Sequence, residues 1–225
     1  MKLVIFDCDG TLVDSQDAIC GAMSRAFQGL GLPAPHRADV LAVVGLSLPE
    51  AFQVLASRHS QAVRNDLAER YKSAFPATAA EGIARDPLYP GARTCIEALA
   101  RRDDIRLGIA TGKSRRGVAR LFDQESWHDH FVTIQTADTN PSKPHPGMIE
   151  TAMAESGIGP ERTIIIGDTT YDIEMGRNAG VVTLGVAWGY HEVNALETAG
   201  AHAIVDRFDA VEAAVERLLR LGGAS

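Results

Sequence analysis

Apolar and polar positions along the chain fall into two regimes. Leu3-Val4-Ile5-Phe6 is a short uninterrupted apolar run, the form a strand takes when both faces of a parallel sheet are covered. Similar runs recur at 106–110, 131–134, 163–166 and 181–186. Between them lie stretches of helical character at 114–123, 146–156 and 171–179, each with Ser, Asp, Thr or Pro near its start, and Gly180 closes the last as a helix-ending glycine. This alternation predicts an α/β fold built on a doubly wound parallel sheet. Residues 15–85 break the pattern. Their apolar positions recur at helical spacing (Ala18, Ala22, Phe27; Ala51, Val54, Leu55; Leu67, Tyr71, Phe75) and no strand stands out. The expected organisation is a core of residues 1–14 and 86–225 carrying an all-helical insertion at 15–85.

Composition changes the picture only by exclusion. Hydrophobic residues make up 45% and charged residues 23% of 225, so the chain can bury a core and is neither disordered nor fibrous. Acidic residues outnumber basic ones 29 to 22, the wrong balance for a protein that holds nucleic acid by its phosphates. The insertion carries a net charge of +1 and the remainder −8, a weakly positive lid over an acidic core that suits an anionic substrate. Cys8, Cys20 and Cys95 are odd in number and far apart, which argues against a disulfide framework or a zinc knuckle. No apolar run reaches membrane-spanning length and the first one is too short for a signal peptide, so no membrane partner and a cytoplasmic location are expected. Monomer and homodimer both remain open.

In an open parallel sheet, ligands bind beyond the carboxyl ends of the strands. Asp7 and Asp9 follow the first run, and Gly10 lets the backbone curl so that both can face one site, one carboxylate attacking while the other handles a proton. Asp168 brings a third acid from a neighbouring strand. Three converging carboxylates repel one another unless a divalent cation neutralises them, and all-oxygen ligation with room for phosphate describes Mg²⁺. Thr111 and Gly112, at a strand end before a helix, offer a hydroxyl and backbone N–H groups to an anion such as phosphate. Lys143 lies in Ser142-Lys143-Pro144-His145-Pro146, where the prolines restrict the backbone and aim the ammonium. Asp172, four residues after Asp168, could pair with Lys143, touch a metal-bound water or cap its own helix.

The series Asp7-Cys8-Asp9-Gly10-Thr11-Leu12-Val13-Asp14-Ser15, then Thr111, then Lys143-Pro144-His145-Pro146, then Gly167-Asp168 with Asp172 resembles the haloacid dehalogenase-like hydrolase superfamily across the whole chain. The helical insertion after the first motif resembles the cap of its subfamily I, which holds phosphoglycolate phosphatases, pyrophosphatases, β-phosphoglucomutase and sugar-phosphate phosphatases. The resemblance implies a Rossmann-like core and a cap that selects a small phosphorylated substrate. It implies that Asp7 attacks phosphorus to give an aspartyl phosphate and that Asp9 protonates the leaving alcohol and then activates water. Thr111, Gly112 and Lys143 would hold phosphoryl oxygens. Mg²⁺ would be bound by the Asp7 carboxylate, the Asp9 main-chain carbonyl and Asp168, with Asp172 in support. Hinges are expected near Asp14-Ser15 and Arg85-Asp86-Pro87.

Competing readings are a mutase or pyrophosphatase of the same superfamily and, in a different class, a receiver-like phospho-aspartate signalling module. An acid at position 9 points to a phosphatase or mutase, and the apolar loop Gly45-Leu46-Ser47-Leu48-Pro49 offers no grip for a mutase's second phosphate. A receiver has no use for a seventy-residue cap. The stretch from Gly108 to Ser114, which includes Lys113, has three residues between its glycines where a phosphate loop needs four, so it is not a phosphate loop. His128 and His130 beside Trp127 are read as a solvated loop, and Cys8, between two acids, as a poor nucleophile.

Overall fold

The structure is a computed structural model that describes residues 1–80 and 87–221. Strands β1 (Lys2–Phe6), β2 (Ile105–Thr111), β3 (Phe131–Thr136), β4 (Thr163–Gly167), β5 (Val182–Val186) and β6 (Ala203–Val205) form one sheet in the order β3-β2-β1-β4-β5-β6, with every pairing parallel. The five predicted runs all become strands, and β6, a three-residue edge strand, joins them. Between and after the strands run α5 (Ala92–Ala100), α6 (Arg115–Glu125), α7 (Gly147–Ser156), α8 (Thr170–Asn178), α9 (Val193–Thr198) and α10 (Val211–Leu221). Gly180 stands just past α8 with φ 70°, as a helix-ending glycine requires.

Why β1 is apolar at successive positions is visible in its two partners. Val4 and Phe6 face a core shared with Ile96 and Leu99 of α5, Phe122 of α6 and Val215 of α10, whereas Leu3 and Ile5 face Met148 and Ile149 of α7 and Met175 of α8. All of these side chains lie within 8% of complete burial, and full burial of such a side chain stabilises by about 1.5–3 kcal/mol. The register pairs Phe6 with both Ile109 and Ile166, so the carboxyl ends of β1, β2 and β4 finish at one level.

Between β1 and α5 the chain forms α1 (Gln16–Gln28), α2 (Arg37–Leu41), α3 (Leu48–Leu55) and α4 (Gln61–Ala80). They enclose a core of their own from Ile19, Met23, Phe27, Val40, Phe52 and Leu67. One sequence expectation is corrected here: Val54 is 57% exposed, and α3 buries Phe52 beside the expected Ala51, with Leu55 packed on the same core. The outgoing and returning strands of chain lie side by side, with Asp14 N–H donating to Pro87 O at 2.9 Å and Tyr89 N–H to Leu12 O at 3.0 Å. Arg85 and Asp86, expected at the second hinge, lie outside the described residues. Among the described residues no helix is long and apolar enough to cross a membrane.

Candidate active site

Asp7 follows β1, its N–H donating to Ile166 O at 2.9 Å, which seats it between β1 and β4. Gly10 then turns the chain at φ 93°, and a Cβ there would stand 2.2 Å from Asp168 Oδ2. Only glycine supplies both that backbone conformation and that space. Asp168, just past β4, is held by the Thr11 hydroxyl at 2.8 Å and by Tyr190 N–H at 2.9 Å. Lys143, in the loop before α7, donates to Asp7 Oδ1 at 2.7 Å and to Asp172 Oδ1 at 2.6 Å, with all three side chains at most 1% exposed. Asp172 has two roles at once, since its Oδ2 also accepts from the Thr169 N–H at 3.1 Å and hydroxyl at 2.7 Å in the capping box that starts α8.

Carboxylate oxygens of Asp7, Asp168 and Asp172 lie within 4.8 Å of one another. The ammonium of Lys143 bonds two of these three buried acids, Asp7 and Asp172. Burial, opposed by Lys143 and reinforced by Asp172, pushes Asp7 up to about 6. Burial and the neighbouring Asp172 and Asp7 hold Asp168 well above the ordinary carboxylate range. For Lys143, desolvation acts downward but the two carboxylates outweigh it, so its ammonium stays charged. Cys8 is buried and its thiol is pushed far up by that burial and by Asp7 and Asp9, which bears out its reading as a poor nucleophile.

The Asp9 side chain stands outside the three-acid group. Its Oδ1 accepts from Lys113 Nζ at 2.6 Å and from the Ser15 hydroxyl at 2.5 Å. Thr111 ends β2 with its side chain 1% exposed and its Oγ1 accepting from Lys113 N–H at 3.2 Å. Gly112 stands beneath the loop after α2: a Cβ there would meet Gly45 O at 2.8 Å and Leu46 O at 2.9 Å. The same loop is fastened by Ser47 N–H to Ser142 Oγ at 2.8 Å and by the Tyr171 hydroxyl to Ala42 O at 3.0 Å. A cavity of about 810 Å³ opens between the inserted helices and the sheet edge, with Asp7, Asp9, Thr111 and Gly112 on its floor and Met23, Val40, Leu48 and Phe75 on its walls.

Every site residue expected from the sequence therefore meets at this one sheet edge: Asp7, Asp9, Thr111 and Gly112 on the cavity, Lys143, Asp168 and Asp172 immediately behind it. Sequence reasoning missed Lys113, Ser15 and Tyr190. Lys113 lies two residues past Thr111 and fits no phosphate-loop spacing, and the space into which it bends is left by Gly117. Tyr190 lies four residues past the end of β5. His128 pairs with Asp123 at 2.7 Å on an exposed loop and does not line the cavity.

Residues 4–186 match the sequence profile of the haloacid dehalogenase-like hydrolase family. The chain belongs to that family. It is 35% identical over 99% of its length to a protein of Dickeya dadantii named "Probable phosphatase IndB", covering 96% of that protein. It is 30% identical over 91% of its length to the phosphoglycolate phosphatase of Pseudomonas putida, covering 76% of it. A solved haloacid dehalogenase-like hydrolase from Streptococcus pneumoniae superposes with a TM-score of 0.81 at 28% identity, over 95% of this chain and 98% of that one. Relatives named as phosphatases agree with a phosphoric monoester hydrolase, and the sheet with helices on both faces is this family's Rossmann-like fold.

Proposed function

We propose that this haloacid dehalogenase-like hydrolase is a Mg²⁺-dependent phosphatase that hydrolyses a small phosphorylated metabolite, phosphoglycolate or a sugar-phosphate-like ester, through an aspartyl phosphate on Asp7. The reading is supported chiefly by the meeting of Asp7, Asp9 and Thr111 on one cavity floor, with Lys143 bonded to Asp7. An Asp7 oxygen bonds to phosphorus as the ester P–O bond breaks, and the leaving alcohol oxygen takes a proton from Asp9. Water then attacks the same phosphorus and gives its proton to Asp9. The bond between phosphorus and Asp7 breaks, inorganic phosphate leaves, and the carboxylate is restored. Thr111, the Gly112 N–H and Lys143 hold the charge on the phosphoryl oxygens, the electrostatic part of phosphoryl transfer.

The residues fit a hard divalent cation. Asp7 Oδ2 is buried without a hydrogen-bond partner among the described residues, and the three clustered groups offer only oxygen. Asp7 and Asp168, with the Asp9 main-chain carbonyl and with Asp172 in support, would hold Mg²⁺. Its bound charge would neutralise phosphoryl oxygens. Residues 15–85 act as a cap that excludes water and selects the substrate. The test is release of inorganic phosphate from a panel of phosphoglycolate, hexose phosphates, nucleotides and pyrophosphate, with and without Mg²⁺. Turnover of monoesters that needs Mg²⁺ and disappears in Asp7→Asn is expected; activity retained by that variant overturns Asp7 as nucleophile.

A further inference from the structure

The cavity does not end at the reacting groups. Its far wall is made by one face of α6, where Arg116 and Arg120 stand four residues apart, one turn and about 6 Å along the axis. Gly117, between them, is the position where a side chain would collide with Lys113: a Cβ there would meet Lys113 Cγ at 2.8 Å. Its absence lets Lys113 fold back to Asp9 and leaves the two arginines as the next cations outward. From the opposite side, Phe75 of α4 meets both ends of this row, with its ring 5.7 Å from the Arg120 guanidinium and 5.6 Å from Lys113 Nζ. Among the described residues no carboxylate lies within 4.0 Å of Arg116 or Arg120. The acid on that side of the cavity, Asp138, has its carboxylate engaged by Arg115 N–H at 2.7 Å.

We infer that Arg116 and Arg120 of α6 form a second anion subsite, so that the preferred substrate is a phosphomonoester carrying a further anionic group, a carboxylate or a second phosphate, at its other end. A planar guanidinium stacked on an aromatic ring keeps its donor edge pre-set for carboxylate or phosphate oxygens. The apolar wall of Met23, Val40 and Leu48 covers the carbon body between the two charged ends. Substrate selection is then shared between the core helix that follows Thr111 and the cap, which supplies Phe75 as its clamp. The inference deepens the phosphatase reading and rests on it only for which end of the cavity takes the scissile group.

Calorimetric binding of non-hydrolysable probes tests it without turnover. Alkane-α,ω-bisphosphonates and ω-carboxyalkylphosphonates of three to six carbons are compared with alkyl monophosphonates of equal length, in the presence of Mg²⁺. The expected result is at least tenfold tighter binding of one doubly anionic series by the native protein, the better series identifying the second group as phosphate or carboxylate. In Arg120→Met that ratio falls at least tenfold, and Arg116→Met reports on the same subsite if the first variant does not fold. A ratio near one in the native protein, or an unchanged ratio in the folded variants, overturns the subsite. Failure of the phosphatase reading is separate: it appears as no phosphate released from any ester while these binding ratios hold.

Discussion

Replacing Lys143 by Met keeps the length and apolar stem of the side chain and removes its charge. The ammonium sits 2.7 Å from Asp7 and 2.6 Å from Asp172 with 0% of the lysine side chain exposed, so solvent screening is no discount. At an effective dielectric near 20, each contact is worth roughly 6 kcal/mol of Coulomb attraction. Desolvation of the ammonium offsets several kcal/mol of that total, and breaking buried pairs of this kind costs about 3–5 kcal/mol net. For a chain of this size, that is a fall in melting temperature of about 10 °C. The deficit must also depend on pH. Asp7 has a folded pKa of about 6 against an ordinary 3.8, so at pH 5 it is largely protonated and its contact with Lys143 is already discharged. A carboxyl whose folded pKa lies above its unfolded one loses stability as pH rises between the two values, and removing Lys143 pushes Asp7 higher still. Urea unfolding in EDTA at pH 7.5 and pH 5 measures both effects. A loss below 1 kcal/mol at pH 7.5, or one that does not shrink by about half at pH 5, refutes the reasoning.

Asp7→Asn removes a buried charge whose rise from 3.8 to about 6 corresponds to about 3 kcal/mol, so in EDTA the variant is expected to be more stable than the native protein at pH 7.5 and to lose that advantage near pH 4; equal midpoints at pH 7.5 contradict the raised pKa. Asp168→Asn should raise the Mg²⁺ concentration giving half-maximal phosphate release by at least tenfold, and an unchanged Mg²⁺ dependence removes Asp168 from the ligand set. Gly112→Ala drives a methyl against Gly45 O and Leu46 O at under 3 Å, so KM should rise several-fold as the Gly45 loop is displaced, whereas native KM values would show that the loop does not need this approach. Phe52→Ala deletes a ring that is 0% exposed and packs against Phe27 and Tyr71, and about 3–5 kcal/mol of stability should be lost. Hydrogen exchange should place the loss first in α1 to α4, and a uniform loss over the sheet would show that the inserted helices have no separate stability.

The parts of the fold that were legible are those whose environment forces composition. β1, β2 and β4 are covered on both faces over residues 3–6, 107–110 and 164–166, so these stretches are free of charged residues and could be recognised without partners. β6 is three residues long at the sheet edge, with only Val205 buried, and carries no such imprint. In α3 the expected Ala51 and Leu55 do turn toward the core but Val54 does not, because Val54 looks as apolar as Phe52 and only packing against α1 and α4 decides between them. The site divides in the same way. Asp7, Asp9, Thr111 and Asp168 follow directly from where strands end. Lys113 does not, because its direction depends on an absence: Gly117, four residues later, leaves the space into which it bends.

The acidic cluster explains why so many of these details sit at one edge. A sheet whose β1 and β4 end at the same level brings Asp7 and Asp168 together whether or not a cation is there, and burial then raises the pKa of each. One lysine from the β3–α7 connection compensates part of that charge, the Thr11 hydroxyl and Tyr190 N–H bond Asp168, Thr169 bonds Asp172, and Asp7 Oδ2 has no partner among the described residues. A cluster serving stability alone would be better replaced by apolar residues of similar volume. Keeping three buried acids against one ammonium makes sense for a site that gains its binding energy from what it takes up, and it is burial first, then the neighbouring carboxylates, that raises the pKa of Asp7 and Asp168.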